Sequence, residues 1–76
     1  HPNELYYRML ARPKPPGQRH WPDDHWPRVL AVYQWGRETS RPGGGSKSVA
    51  DMWGVAVDPT AWRWLAEARK RRAATT

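Results

Sequence analysis

Two helix-forming patterns separated by a single glycine occupy residues 47–72, and this stretch constrains the fold more than any other part of the chain. Gly54 follows the shorter pattern, and glycine is the residue that most readily adopts the positive φ of a helix C-cap. Asp58 and Pro59 then stand in the order of an N-cap followed by a first helical residue. The sequence therefore predicts a short helix, a turn, and a longer helix over residues 59–72.

Apolar residues in both patterns recur three and four positions apart, which places them on one face of each helix. We expect the shorter helix to begin at Ser46 or Lys47 and to end at Trp53. The residues expected in the core are Val49, Ala50, Trp53, Val55, Ala61, Trp64, Leu65 and Ala68. Two helices joined by such a turn form a helix-turn-helix, a motif whose second helix commonly enters the major groove of DNA.

A further helix is predicted upstream, over residues 24–37, with Asp23 or Asp24 as its N-cap. One of its sides carries Trp26, Val29, Leu30 and Tyr33. Trp35 lies almost opposite, so this helix has two apolar sides and needs two covers. The rest of the domain is expected to cover one side, and the N-terminal segment or a second copy of the chain the other.

The first 22 residues are expected to form an arm. Residues 3–10 have the pattern of two helical turns with Asn3 as the cap. The apolar face of this short helix carries Leu5, Tyr6, Met9 and Leu10. Residues 11–22 hold four prolines, which predicts an extended connector. The chain is thus divided into an arm, 1–22, and a helical domain, 23–76, in which residues 37–46 are expected to be a flexible glycine-rich loop.

The composition excludes several classes of protein. A chain of 76 residues is expected to form one domain with a thin core, to which six tryptophans and three tyrosines add apolar area. The absence of cysteine excludes disulfides and thiolate metal sites. No apolar run approaches the roughly 20 residues of a membrane span. We therefore expect a cytoplasmic protein with no membrane partner, and His1 in place of an initiator methionine suggests a piece of a longer chain.

The net charge of +6 is concentrated in the second half of the chain, where residues 37–76 carry eight cations and four acids. Four of those cations form the continuous run 69–72 at the end of the last predicted helix. A basic stripe of this kind suits phosphate. Cations at a helix C-terminus are also favoured by the helix dipole without any ligand, so both interpretations remain open at this point.

Several short motifs carry a resemblance to a known family. They are Val49-Ala50, Trp53-Gly54-Val55, Thr60-Ala61, Trp64-Leu65 and Ala68-Arg69. In this order they resemble a helix-turn-helix family common in high-GC bacteria and their phages, over about residues 24–72. The resemblance implies an all-α fold of three helices after the N-terminal arm. It implies sequence-specific binding of double-stranded DNA by a transcription regulator or a phage-type recombination or packaging accessory protein, with no enzymatic activity and no cofactor.

The resemblance also implies which side chains would meet DNA. The recognition helix would run from Pro59 to about Arg72. Bases would be contacted by Thr60, Arg63 and Glu67, of which Arg63 best suits a bidentate guanine contact. Phosphates would be contacted by Lys47, Ser48, Arg69, Lys70, Arg71 and Arg72. A single module of this size buries about 600–1,000 Å² on DNA, so a homodimer or a cooperative array is expected.

Two residues of this helix have alternative interpretations. Glu67 lies three or four positions from Arg63, Lys70 and Arg71, and it could pair with them instead of leaving Arg63 to contact a base. Trp62 lies off the core stripe. We expect it to pack against the N-terminal segment rather than to wedge between base pairs.

Other functions are also compatible with the sequence. A protein-interaction surface would use Trp35, Trp62, Tyr6 and Tyr7. Exposed aromatic rings among cations would instead suit single-stranded nucleic acid. A cluster of His20, Asp23, Asp24 and His25 resembles a metal site in composition. We interpret its members as helix caps and surface imidazoles, because four ligands within six residues would need an unusual loop.

Overall fold

The computed structural model of the protein describes residues 4–75, and every regular element within them is helical. The helices are α1, Glu4–Leu10; α2, His25–Glu38; α3, Gly44–Trp53; and α4, Trp62–Thr75, which follows one wide helical turn, Val57–Ala61. The predicted all-α fold is therefore confirmed. The predicted cap Asn3 lies outside the described residues.

Helix α2 is central, because α3 and α4 both pack against it and α1 touches its other side. The buried core consists of Trp26, Val29, Val32, Trp35, Val49, Ala50, Ala61, Leu65 and Ala68. Val29 and Val32 are fully buried and Trp35 is only 4% exposed, so both apolar sides of α2 are covered within one chain. No second copy is needed to bury Trp35.

The N-terminal arm covers the second side of α2, as predicted, but with a different face of α1. The ring of Tyr7 stacks on that of Trp35, whereas Tyr6 and Met9 are 53% and 69% exposed. Helix α1 is fixed in this orientation by Arg41, whose Nη1 donates a hydrogen bond to Glu4 Oε1 at 2.6 Å. That bond, with a second from Arg8, holds the pKa of Glu4 below its ordinary value.

The proline-rich connector is not extended throughout, contrary to the prediction, because it turns at residues 15–18, where the N–H of Gln18 donates to the carbonyl of Pro15 at 3.3 Å. Tryptophans fix the connector at two points. The indole N–H of Trp53 donates to the carbonyl oxygen of Arg12 at 3.2 Å. The ring of Trp21 meets that of Trp64 edge-on, with centroids 5.1 Å apart. The connector thus lies against α3 and α4 rather than away from the domain.

Helix α2 begins and ends within one residue of the predicted bounds, but its cap differs from the prediction. Asp24 occupies the N-cap position, yet its side chain makes no capping hydrogen bond. Its carboxylate pairs instead with Arg28, at 3.0 Å, one turn further along the helix. An exposed pair of this kind competes with the capping geometry for the same oxygen atoms.

The prediction of a flexible loop over residues 37–46 is wrong over half of its length. Helix α2 continues to Glu38 and α3 already begins at Gly44, so the connection is only residues 39–43. Gly45 is buried, and a Cβ there would lie 2.5 Å from the backbone oxygen of Tyr33. Gly45 therefore allows α2 and α3 to pack closely. A glycine that serves close packing cannot be told from one that makes a loop flexible by composition alone.

The turn between α3 and α4 follows the prediction at its start but not at its end. Gly54 has φ +67°, and the N–H of Val55 donates to the carbonyl of Ala50 at 3.0 Å, which closes α3. Asp58 is extended, with φ −122° and ψ 121°, as residues before proline tend to be. This is the backbone conformation of an N-cap, as predicted for Asp58, although the regular α-helix begins at Trp62 rather than at Pro59.

Candidate nucleic-acid interface

The outer face of α4 carries two exposed cations, Arg63 and Lys70. They are seven positions apart, close to two full turns, and so lie on the same side of the helix. The opposite side is formed by Leu65 and Ala68, which are 0% and 1% exposed. Neither cation forms an ion pair with any residue in the part of the chain that the structure describes. Both are available to an anionic partner.

The other two candidate base-contacting residues are less accessible. Thr60 is half-buried in the wide turn before α4. Glu67 is also half-buried, and it accepts a hydrogen bond from Arg71 Nε at 2.8 Å. Of the two interpretations of Glu67, pairing along the helix is therefore realised with Arg71 and not with Arg63. The carboxylate of Glu67 thus does not hold the guanidinium of Arg63 away from a base.

Arg71 is attached to the body of the domain by three groups. Besides Glu67, its guanidinium lies 4.9 Å from the centre of the Trp26 ring and 3.9 Å from a carboxylate oxygen of Asp23. These contacts hold this flank of α4 against the start of α2. They leave Arg71 less suited to a phosphate contact than the sequence suggested.

Of the two candidate phosphate contacts at the start of α3, one is inaccessible. Ser48 is 1% exposed, and its hydroxyl donates to the carbonyl oxygen of Gly44 at 3.0 Å. The prediction that Ser48 contacts phosphate is therefore wrong, because α3 turns this side chain towards α2. Lys47 is exposed and pairs with Asp51 at 3.2 Å. Such a surface pair is worth at most about 1 kcal/mol, so Lys47 can exchange it for another anion.

The remaining cations of the set lie on the exposed surface of α4. Arg69 is exposed, and its guanidinium lies 5.2 Å from the centre of the Tyr33 ring. Arg37 of α2 lies 5.8 Å from the same ring. Arg72 is exposed and lines a groove of about 600 Å³ between the start of α2 and the end of α4. Neither Arg63 nor Lys70 lines that groove.

Trp62 is not covered by the N-terminal segment, so that prediction is wrong. Its side chain is 47% exposed, while α1 packs on Trp35 at the other side of α2. Trp62 and Arg69 are seven positions apart and therefore share one flank of α4. An exposed indole next to a cation is a surface that either nucleic acid or a protein partner can use.

A buried histidine is the feature that sequence reasoning missed. His25 is 4% exposed rather than a surface imidazole, and its ring stacks on Trp21 with centroids 4.0 Å apart. Three further tryptophans meet this ring edge-on, namely Trp26, Trp53 and Trp64. Burial lowers the pKa of His25 to about 4, so the imidazole is neutral at pH 7.

The His25 cluster, defined as His25 with Trp21, Trp26, Trp53 and Trp64, is therefore structural. The repeated tripeptides His20-Trp-Pro and His25-Trp-Pro were its only signal in the sequence. Within residues 4–75 no group of three His, Asp or Glu side chains is placed to hold a metal ion. The Nε2 atom of His25 is buried and has no hydrogen-bond partner among the described residues.

The comparisons with protein-family models, with curated proteins and with solved structures found no match for this chain. Across the described residues, no helix has the length and apolar character needed to cross a membrane. Fold and surface together define a small all-α protein whose last helix carries a cationic outer face.

Proposed function

We propose that this protein binds double-stranded DNA in a sequence-specific manner, through the outer face of α4. The observation that carries the proposal is the pair of exposed cations, Arg63 and Lys70, on the side of α4 opposite its buried stripe. A helix about 10–12 Å across fits the major groove, which is about 12 Å wide. A cationic outer face is the chemistry that such an insertion requires.

The arrangement of α3, the turn and α4 supports interpretation as a helix-turn-helix. Both helices pack on α2, Gly54 closes the first, and the second presents its cations away from the domain. In this interpretation Arg63 contacts a guanine edge and Thr60, half-buried in the turn, touches a thymine methyl or a phosphate. Glu67 is the weakest candidate for a base contact, because Arg71 already occupies its carboxylate.

Phosphate contacts would come from cations around this face. The candidates that remain are Lys47, Arg69 and Lys70, because Arg71 is held back by its intramolecular partners. Arg72 lies nine positions after Arg63, about two and a half turns along, and therefore on the opposite side of α4. Such contacts fix the orientation of the protein on the duplex without selecting a sequence. The role would be that of a small transcription regulator or of an accessory protein in phage-type recombination or packaging, acting as a dimer or an array.

The experiment that tests the proposal is selection from a pool of random duplexes, followed by sequencing. Enrichment of one motif would support sequence-specific binding, and a repeated half-site would give the spacing of a dimer. The logarithm of the binding constant for the enriched duplex should fall as the logarithm of the salt concentration rises, with a slope of about −0.9 for each phosphate neutralised. No retention of any duplex at low salt would refute the proposal.

A protein-interaction module is the second candidate, and the exposure of Trp62 favours it. Tyr6 is exposed as well, whereas Trp35 is buried and Tyr7 is half-buried against it. The discriminating measurement is the mobility of a labelled random duplex at low salt. No shift at tens of micromolar protein would favour a protein partner, and tighter binding of oligo-dT than of duplex would favour single-stranded nucleic acid.

A further inference from the structure

Tyr33 holds two guanidinium groups that come from different helices. The central carbon of Arg37, one turn further along α2, lies 5.8 Å from the centre of the tyrosine ring. That of Arg69, on α4, lies 5.2 Å from the same point. Both arginines are exposed. The two guanidinium groups, one from α2 and one from α4, are therefore at most about 11 Å apart.

Neither arginine of this pair has a carboxylate partner among the described residues, although other arginines do. Arg8, Arg28, Arg41 and Arg71 each form an ion pair with an acidic side chain. The nearest acid in sequence to Arg37 is Glu38, whose carboxylate accepts a hydrogen bond from Gln34 at 2.8 Å. Two like charges at one ring repel each other, and an anion between or beside them would reverse that unfavourable interaction.

The tyrosine ring orients the two guanidinium groups without using their hydrogen-bond donors. A guanidinium over a ring is attracted through its face, whereas its five N–H donors lie in its own plane. Those donors match the oxygens of a phosphate. The ring itself is fixed, because Tyr33 packs directly against the backbone of Gly45 in the first turn of α3. Prior orientation reduces the entropic cost when the arginines bind an anion.

The position of the pair relative to the outer face of α4 indicates which phosphates it would reach. Arg69 adjoins Lys70, and one residue turns an α-helix by about 100°, so Arg69 faces sideways when Lys70 faces outwards. For a helix inside a groove, the sideways direction leads to the sugar–phosphate wall. The opposite flank carries Arg71, which Glu67 and Asp23 already neutralise. The two flanks of α4 are therefore unequal in available charge.

We propose that Arg37 and Arg69, oriented by Tyr33, bind the phosphodiester backbone of one DNA strand beside the groove that α4 enters. This inference rests on the proposed function and extends it by adding a contact from α2. The contact with DNA would then be asymmetric. One strand would be bound by arginines of α2 and α4, and the other strand would face the flank of α4 that carries the ion-paired Arg71.

The test compares salt dependence in matched variants. Arg37→Gln and Arg69→Gln should each make the negative slope of log K against log salt shallower by about 0.9 on a random duplex, because each variant neutralises one phosphate fewer. Arg19→Gln, which removes the same charge from the exposed connector, should leave the slope unchanged. Tyr33→Leu retains both arginines and most of the apolar volume. It should weaken binding because the guanidiniums are no longer oriented, with helicity followed by circular dichroism to confirm folding.

The outcomes separate this inference from the proposed function. If the unmodified protein binds duplex and the two arginine variants keep its salt slope, the inference is wrong while duplex binding stands. If the unmodified protein binds no duplex, both proposals fail. If the variants weaken oligo-dT binding more than duplex binding, the pair serves a single strand and its placement beside a groove is overturned.

Discussion

The ring of Tyr7 stacks on the ring of Trp35, with centroids 4.7 Å apart and planes 17° from parallel. The guanidinium of Arg41 lies 4.7 Å from the centre of the same indole and also binds Glu4. One tryptophan on the far side of α2 thus joins the arm, the central helix and the short connection to α3. The arm is part of the folded domain and not an independent tail.

We expect Tyr7→Ala to destabilise the protein by about 1–3 kcal/mol, because it removes a stacked aromatic ring and uncovers Trp35. In a domain of this size, 1 kcal/mol corresponds to a fall of about 4–8 °C in Tm. Thermal unfolding followed by circular dichroism measures the effect. Tyr6→Ala is the matched control, since Tyr6 is exposed. Equal destabilisation by the two variants would contradict the role given to Tyr7.

The sequence predicted the cover over Trp35 but not the residue that makes it. Residues Tyr6 and Tyr7 are adjacent, and either can face inwards in a helix of only two turns. In the observed orientation Glu4 also accepts a hydrogen bond from Arg41, which lies 37 positions away. Helical periodicity contains no information about such a distant hydrogen bond, so the orientation of α1 could not be predicted from local pattern.

Gly36→Ala should destabilise the domain by about 1–3 kcal/mol through overpacking. A Cβ at this position would lie 2.7 Å from that of Ser48 and would also meet its hydroxyl group. Urea unfolding measures the destabilisation, and Gln34→Ala on the exposed side of the same helix is the control. Ser48→Ala should relieve part of the clash, so the double variant should be less destabilised than the sum of the single ones. Simple additivity would show that the two positions do not meet.

Gly36, Gly45 and Ser48 also show why the sequence misassigned the start of α3. A run of glycines normally indicates a flexible loop. Here two glycines allow α2 and α3 to approach until backbone and small side chains touch, and Ser48 is enclosed by that approach. Whether a small residue serves flexibility or close packing depends on the neighbouring helix, which local sequence does not specify.

The stability of the protein should depend on pH through His25. Burial lowers its folded-state pKa to about 4, against an ordinary value of 6.5. Between these two values the unfolded chain binds more protons than the folded chain, so stability falls as pH decreases. The full contribution is present above about pH 6.5, and about 3 kcal/mol is lost by pH 4, at 1.36 kcal/mol for each pH unit. Below pH 4 this group adds no further change.

Urea unfolding at several pH values tests this dependence. His25→Phe removes the titrating group from the cluster while it keeps an aromatic ring there, and it should flatten the profile between pH 4 and 6.5. The exposed His20, replaced by Gln, provides the comparison and should leave the profile unchanged. A profile in His25→Phe as steep as that of the unmodified protein would show that other groups cause the dependence.

The candidate interface was partly predictable for a simple reason. Helical periodicity separates the buried stripe of α4 from its outer face, so the exposure of Arg63 and Lys70 follows from the sequence. Which acid or ring each cation contacts cannot be derived from the sequence, because it depends on contacts between helices. Arg71 meets Asp23 and Trp26 at the start of α2, and Arg69 meets Tyr33, because α4 packs across α2.

Arg63→Ala and Lys70→Ala should separate sequence selection from general attraction to DNA. Removal of the Arg63 side chain should reduce the preference for the selected duplex over its single-base variants by about 1–3 kcal/mol at one base pair, because a bidentate guanine interaction disappears. Removal of the Lys70 side chain should weaken binding to all duplexes alike, and it should make the negative slope of log K against log salt shallower by about 1. Competition binding against a panel of single-base variants measures both effects.

The control is Arg19→Ala, which changes net charge by the same amount in the exposed connector and should alter neither quantity. An intact preference after Arg63→Ala would mean that another residue contacts the bases. Thr60 would then be the next candidate, because Arg71 already occupies the carboxylate of Glu67. A reduced preference in Lys70→Ala alone would instead place the base contact about two turns nearer the end of α4.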